Sequence, residues 1–388
     1  MNFIYKMDKA IYYLLILYAL VSSISIAAAN VAITLAAVLA MVRHIKEPIT
    51  VKYDKGLATA IGMFLVAVLI SAIFAYKPSV GFHRLFTYLY RIFPLVLAIF
   101  FIKNKEQLVK VLIVMGSSIL IADGHAIWQG VHGNYRTASF SSHPMILAGY
   151  LIQMIPLLLV VGFENQFTSV QKRSYFIGVA AISCGALVYN GTRGAWIAAG
   201  VVIFLYGLLK VKYNKKAGII FLTACLFTGM LAMNTPFIKD RLDTITDMKY
   251  QSNSERLLLW KSAWHMFLDH PLVGIGAGNF SEVYKPYYIS PEAKERELGH
   301  AHNNFMQMLA ETGAIGISTF LYMFGYILVT MYRRYLLNSQ DMWALVAFLV
   351  TISLLVQGCT EYNFGDSAVI RMYWFILGLS YAGSRISS

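Results

Sequence analysis

Apolar residues run along this chain in long unbroken stretches instead of alternating with polar ones. The stretches predict helices near 10–27, 29–42, 57–75, 83–101, 107–128, 144–162, 174–190, 193–210, 216–233, 313–331, 342–360 and 367–383. Most have the roughly 18–20 residues needed to cross a hydrocarbon core of about 30 Å. The strands of a barrel would alternate, and these runs do not, so backbone groups must be satisfied inside helices. The pattern predicts an all-α polytopic membrane protein of about twelve transmembrane helices. One polar stretch interrupts it, from Asn234 to about His300. That stretch reads as a loop at first (Lys239, Asp240, Arg241, Asp243). Leu257, Trp260, Trp264 and Phe267 then recur at helical spacing and predict a helix over Ser252–His270, which Ser254 can cap and Pro271 stops. LVGIGAGNF follows as a glycine-rich turn, and the charged run Ser281–Leu298 predicts a further short helix. About 65 residues is far longer than a connector needs. The chain divides into residues 1–233 (helices one to nine), 234–300 (a large extracytoplasmic loop containing short helices) and 301–388 (the last three helices). It lacks the internal repeat of many secondary transporters.

Composition agrees with a bilayer as the solvent. Of 388 residues 58% are hydrophobic and 13% charged, with a mean hydropathy of +0.60, against about 25% charged in soluble domains. The net charge of +13 raises the possibility of nucleic acid, but the cations fall in short loops, which is the signature of membrane orientation. With the N-terminus in the cytoplasm, one side holds Lys6, Lys9, Arg43, Lys46, Lys52, Lys55, Lys103, Lys105, Lys110, Lys172, Arg173, Lys210, Lys212, Lys215, Lys216, Arg333, Arg334 and Arg385. The opposite short loops hold Lys77, Arg136 and Arg193, so the count is eighteen against three. Both termini are therefore expected in the cytoplasm. Lys6 and Lys9 before an apolar stretch, with Ala27–Ala29 after it, resemble a signal peptide, but Val31–Val42 follows at once, as in a helical hairpin. Cys184, Cys225 and Cys359 all lie in apolar segments and imply neither a disulfide framework nor a zinc site.

Several charges sit where packing alone would not put them. Arg193 lies in YNGTRGAW at a tight junction between two apolar runs, beside residues that bend the backbone and add donors at a helix start, as an anion site requires. Arg136 lies in the short loop GNYRTASF, and Arg84 and Arg91 lie seven residues apart, near one face of the fourth helix. A guanidinium in a bilayer costs roughly 2.5–3.5 kcal/mol and needs a polar cavity or an anionic partner. Snorkelling or an internal ion pair would serve for Arg84 and Arg91. For Arg371, Asp366 or Glu361 could provide neutralisation. Arg256 opens the loop helix against the favourable sense of its dipole; it either pairs with Glu255 or solvent or, beside free N–H groups, makes a phosphate site. His300 and His302 stand before the helix that re-enters the membrane, next to Asn303 and Asn304, and Gly313 follows where that helix can break. The H-x-H spacing allows a metal, but no third ligand follows at ligand spacing, so no metal is expected. A histidine titrating near pH 6.5 can instead take a hydroxyl proton as a general base.

GTRGAW, the long loop with SERLLLWKSAWHMFLDHPLVGIGAGNF, HAHNNFMQMLAETGAIG and EYNFGDSAVIRMYWFILGL, in this order and topology, resemble the O-antigen ligase family, which shares its fold with O-antigen and related polysaccharide polymerases. The resemblance covers most of the chain and is dense from about Arg136 onward. It implies an inverting, metal-independent transferase of the bacterial inner membrane, working on the periplasmic side without a cofactor. The donor would be an undecaprenyl-diphosphate-linked glycan. The acceptor would be the lipid A core in a ligase, or another lipid-linked glycan in a polymerase. By motif, Arg193 and Arg256 would bind the diphosphate and His302 would activate the acceptor, with Arg136, His300, Asn303, Arg84 and Arg91 as secondary candidates. The Leu- and Trp-rich loop helix could lie at the membrane interface and cover the site. A lipid-linked glycan transporter is the competing reading from another class; it would need the arginines but not the loop or its histidine.

Overall fold

Each long apolar run folds as a helix in the computed structural model, which describes residues 2–164, 167–233, 236–244, 247 and 250–387. The helices are α1 (Asn2–Val21), α2 (Ile26–Lys46), α3 (Lys55–Ile73), α4 (Pro78–Phe101), α5 (Lys105–Val131), α6 (Pro144–Phe163), α7 (Val170–Asn190), α8 (Arg193–Tyr213), α9 (Lys215–Met233), α10 (Pro236–Asp243), α11 (Gln251–Asp269), α12 (Phe280–Val283), α13 (Asn304–Leu337), α14 (Met342–Gly358) and α15 (Ser367–Ser387). Their starts are chemically marked. Ser25, Asp54, Asn104, His143, Asn303 and Asp341 each accept a hydrogen bond from a first-turn N–H of α2, α3, α5, α6, α13 and α14, which satisfies donors that a helix leaves open.

The protein is an all-helical polytopic membrane protein. Among the described residues, α2, α3, α4, α5, α6, α8 and α13 are long and apolar enough to cross a bilayer, and α14 is a shorter apolar helix. The other expected spans pack on these: α1 on α2, α7 on α5 and α6, α9 on α8, and α15 on α4 and α14. α6, α14 and α15 form the centre and bury most of their side chains. The residues around 47–54, 102–104 and 338–341 and the last turn of α15 meet at one end of the bundle. The α5–α6 loop, the α7–α8 and α14–α15 turns and the segment before α13 meet at the other.

That segment has its own small core, in which Leu259, Ala263 and Met266 of α11 meet Ile275, Phe280, Tyr284, Ala301 and Ala310. It is locked to α13 by an exchange of main-chain bonds. Gly313 is non-helical (φ 61°, ψ −163°). The carbonyls of Ala310 and Glu311 accept from Ile275 (3.0 Å) and Gly276 (3.0 Å), while the N–H groups of Ala314 and Ile315 donate to Pro271 (2.8 Å) and Leu272 (3.2 Å). In an unbroken helix these four groups would pair with one another. Glycine is required on both sides: a Cβ on Gly274 would lie 2.3 Å from the Glu311 carbonyl carbon, and one on Gly313 would lie 2.5 Å from that of Leu272.

Several expectations are corrected. Residues 236–243 form a helix where a loop is expected. The loop helix starts at Gln251, and Ser254 does not cap it but donates to the Gln251 carbonyl (2.9 Å). Arg256 therefore lies beyond the first turn and does not open the helix. Glu255 is not its partner; it is buried and accepts from Lys294 N (2.9 Å) and Glu295 N (3.4 Å). Arg371 is not paired with Asp366 or Glu361. Its guanidinium donates to the Ser367 carbonyl (2.8 Å), to Tyr90 Oη (3.2 Å) and to the Asn30 side chain. Residue 234, where the loop is expected to begin, lies outside the described residues.

Candidate functional site

Three separate pieces of chain are drawn together where the α7–α8 turn faces the loop segment. Gly191 ends α7 in the left-handed conformation (φ 64°), so the chain reverses and Arg193 becomes the first residue of α8. Asn190 Nδ2 donates to the carbonyls of Thr137 (2.8 Å) and Pro144 (2.9 Å), and Arg136 N donates to Tyr189 O (3.1 Å), which fixes the α5–α6 loop against the turn. Gly194 lets the α14–α15 turn approach, since a Cβ there would lie 2.1 Å from Thr360 Oγ1.

The result is a cavity of about 110 Å³ whose wall holds four guanidiniums, those of Arg136, Arg193, Arg241 and Arg256. Among the described residues Glu361 is the one acid in that wall; Thr192, Gln357 and Thr360 add neutral polar groups. Arg193 Nη1 donates to Thr244 O (2.5 Å), its Nη2 donates to Ser252 Oγ (2.7 Å) and Asn253 Oδ1 (2.9 Å), and the guanidinium stacks on Tyr250 at 4.9 Å. Among the described residues, the side chains of Arg136, Arg241 and Arg256 make no hydrogen bond or ion pair. Burial pushes the Arg256 guanidinium down from its ordinary range and the charge of Arg136 adds to this, with Glu361 opposing. Unpaired like charges in a confined space favour an anion.

Glu361 connects this wall to His302. The His302 Nδ1 lies 3.2 Å from Glu361 Oε1 and 3.3 Å from Oε2. Burial pushes the Glu361 carboxyl up, but the hydrogen bond and charge of His302, the charge of His300 and that of Arg256 outweigh it and hold the carboxyl below its ordinary value. A carboxylate on Nδ1 fixes the tautomer with the Nε2 lone pair free. His302 also carries a strained backbone (φ 47°), as do Arg136 (φ 81°) and Ser139 (φ 55°) in the α5–α6 loop. Positive φ costs a residue with a side chain of order 1–3 kcal/mol and persists where the surroundings impose it. Here Asn303 imposes it: its Oδ1 caps α13 through Phe305 N (2.8 Å) and Met306 N (3.0 Å), and its Nδ2 ties that cap to Cys359 O (2.8 Å).

The structure thus places Arg193, Arg256 and Arg136 in one wall and His302 one residue behind it. His300 does not line the cavity. Its ring packs edge-on against His302 at 4.1 Å, and its Nδ1 accepts from His302 N (3.3 Å). Burial pushes its imidazole down to about 4, with the charges of His302, Arg84 and His143 acting in the same sense and Glu361 opposing. Arg91 is spent on structure, donating to Ser367 Oγ (2.9 Å), Phe364 O (3.1 Å) and Gly365 O (2.6 Å). Arg84 also stands outside the wall, with Glu311 and Tyr362 facing its charge. His300, His302 and Glu361 carry ligand atoms within 4.8 Å of one another, the donor set of a metal site. Glu361 is the third ligand type that sequence spacing does not reveal. Arg256 beside Glu361 and Arg84 beside His300 bring positive charge to the same place, which disfavours a cation there.

Residues 178–321 match the sequence model of a family described as O-antigen ligase. The matched stretch contains Arg193, Arg241, Arg256 and His302; Arg136, Gln357 and Glu361 lie outside it. The teichuronic acid biosynthesis protein TuaE of Bacillus subtilis (strain 168) is 31% identical over 109 residues, which make up 26% of this chain and 22% of that protein. The match therefore spans about a fifth of that relative's length. The resemblance to O-antigen ligases agrees with both findings.

Proposed function

Starting from the O-antigen ligase match over residues 178–321, we propose that this protein is a membrane glycosyltransferase of the ligase or polymerase type. It moves a glycan from a polyprenyl diphosphate such as undecaprenyl diphosphate to the hydroxyl of an acceptor. The observation that carries this reading is the confined arginine cavity that shares Glu361 with His302. His302 Nε2 takes the acceptor proton, and the acceptor oxygen forms its bond to the anomeric carbon as the bond from that carbon to the diphosphate oxygen breaks. One displacement inverts the anomeric centre. The lipid diphosphate gains one negative charge as it leaves. Four arginines against one carboxylate are arranged for that charge, which is where electrostatic catalysis acts most strongly. Two roles follow for residues read from sequence: Arg256 and Arg136 meet the diphosphate, and Arg193 joins them while holding the α10–α11 junction.

The acceptor is the lipid A core in the ligase form and another lipid-linked glycan in the polymerase form. The relative named for teichuronic acid biosynthesis, a product other than O-antigen, gives weight to the second. The cavity faces the periplasm and both termini face the cytoplasm, because the eighteen loop and terminal cations lie at the opposite end of the bundle. All twelve long helices other than α11 then cross the inner membrane.

The test is His302→Ala in proteoliposomes supplied with a polyprenyl-diphosphate glycan and acceptor. Transfer falls by about 10²–10⁴-fold, the usual worth of a general base, while pyrophosphate binding stays near wild type. Transfer that survives the substitution ends the general-base role of His302, and a wild type that moves the lipid-linked glycan across the bilayer without transferring it to the acceptor ends the enzymatic reading.

A further inference from the structure

Two residues of the cavity wall each carry a buried side-chain atom with no hydrogen-bond partner among the described residues: Thr192 Oγ1 and Gln357 Nε2. Gln357 is fully buried, and Thr192 is 6% exposed. Native structures rarely leave such groups unmade, and the exceptions mark places where something else completes them. Thr192 precedes α8 but makes no capping bond to it, so its hydroxyl is not spent on its own helix.

The Gln357 amide has one possible orientation, set by a relay of side-chain amides. Phe364 N donates to Asn304 Oδ1 (3.0 Å), so Asn304 turns Nδ2 towards Asn363 Oδ1 (2.7 Å). Asn363 Nδ2 then donates to the Leu354 carbonyl (2.9 Å) and to Gln357 Oε1 (2.9 Å). A main-chain N–H at one end and a main-chain carbonyl in the middle have fixed polarity. Every amide between them is oriented, and Gln357 must turn its donor away from the relay. Gly358 makes the contact possible, since a Cβ there would lie 2.2 Å from Asn304 Nδ2. The relay starts two residues after His302, so the same packing that sets the imidazole also sets this donor.

We infer that Gln357 Nε2 and Thr192 Oγ1 form a neutral floor beneath the arginines and donate hydrogen bonds to phosphoryl oxygens of the bound diphosphate. The inference rests on the reading given under Proposed function and adds two binding residues to it. A cavity of about 110 Å³ has room for phosphoryl groups. An amide N–H₂ accepts nothing, so its partner must be an acceptor. Charge alone holds an anion without placing it; directed neutral donors fix where each oxygen sits.

The experiment measures inorganic pyrophosphate and inorganic phosphate binding by calorimetry to the full chain in nanodiscs. Gln357→Glu keeps an oxygen for Asn363 Nδ2 but faces the ligand with a carboxylate oxygen, and Thr192→Val removes only the hydroxyl. Gln357→Glu is expected to weaken pyrophosphate binding by about tenfold or more, to weaken phosphate binding less, and to leave the far-UV helical signal unchanged. Thr192→Val is expected to weaken pyrophosphate by about threefold, and it decides the matter alone if Gln357→Glu does not fold. Wild-type pyrophosphate affinity in a folded variant overturns the inference, including the case in which only glycan transfer is impaired, because the contact would then be to sugar. A wild-type protein that binds no pyrophosphate overturns the arginine-cavity reading itself, which is a separate result.

Discussion

His302 is held by three different kinds of force: a carboxylate on Nδ1, a left-handed backbone and a neighbouring imidazole that accepts its N–H. The last of these makes stability depend on pH. Burial keeps His300 neutral in the folded protein down to about 4, against an ordinary value of 6.5. Below 6.5 the unfolded chain takes up a proton that the folded chain refuses, so the unfolded state binds more protons and stability falls with pH. The contribution is complete above 6.5 and is lost progressively towards 4. Glu361, held below its ordinary 4.5, adds a loss only at still lower pH. Thermal unfolding at pH 7 and pH 5 should therefore show a smaller drop for His300→Gln than for wild type, and equal drops would mean that His300 is not held neutral. At this scale the sequence reveals types but not partners. Arg193, Arg256 and His302 are conspicuous because a charge or an imidazole at a membrane boundary needs a reason. Glu361 is not, because its bond to His302 spans 59 residues and looks from sequence like a neutraliser of nearby Arg371. Arg241 sits between Asp240 and Asp243 and looks like a solvated surface residue.

Among elements, the long helices are legible because a bilayer allows few alternatives; most ends shift by a few residues, but α1 begins at Asn2 where residue 10 is expected, and α13 begins at Asn304 where residue 313 is expected. The eight-residue α10 is missed because it is too short and polar to carry a periodic signal. The break in α13 is expected from Gly313, but what fills it is not, because the groups that replace the helix's own bonds come from residues 271–276. Gly313→Ala would put a methyl 2.5 Å from the Leu272 carbonyl carbon and force a side chain into φ 61°. The expected loss is at least the roughly 1–3 kcal/mol of a strained backbone, and it should appear as a lower melting temperature in detergent with faster proteolysis near Pro271. A melting temperature equal to wild type would mean that α13 has healed into a continuous helix and that the exchange of bonds is not essential.

For the molecule as a whole, charge is sorted along its length. Cations of the short loops and termini gather at one end of the bundle, and at the other four arginines line a cavity with one acid among the described residues. A ligand bound only to the folded state stabilises it by about 2.7 kcal/mol at a hundred times its dissociation constant. Pyrophosphate at that excess should therefore raise the unfolding temperature at low ionic strength and do so less in 0.5 M salt, where exposed Arg136 is screened. An upward shift that ignores salt would point to binding elsewhere by contacts that are not ionic. Arg193 complicates that affinity. It reaches the cavity with three hydrogen bonds already made, to Thr244, Ser252 and Asn253. An anion that takes the whole guanidinium must displace the Thr244 carbonyl, a serine hydroxyl and an asparagine amide, while one that leaves them in place meets only the remaining edge. The grip on the ligand is thus a competition, and its opponents are uncharged groups at the seam between α10 and α11. Trimming Ser252 or Asn253 is a way to tighten the hold on the anion without adding a single positive charge.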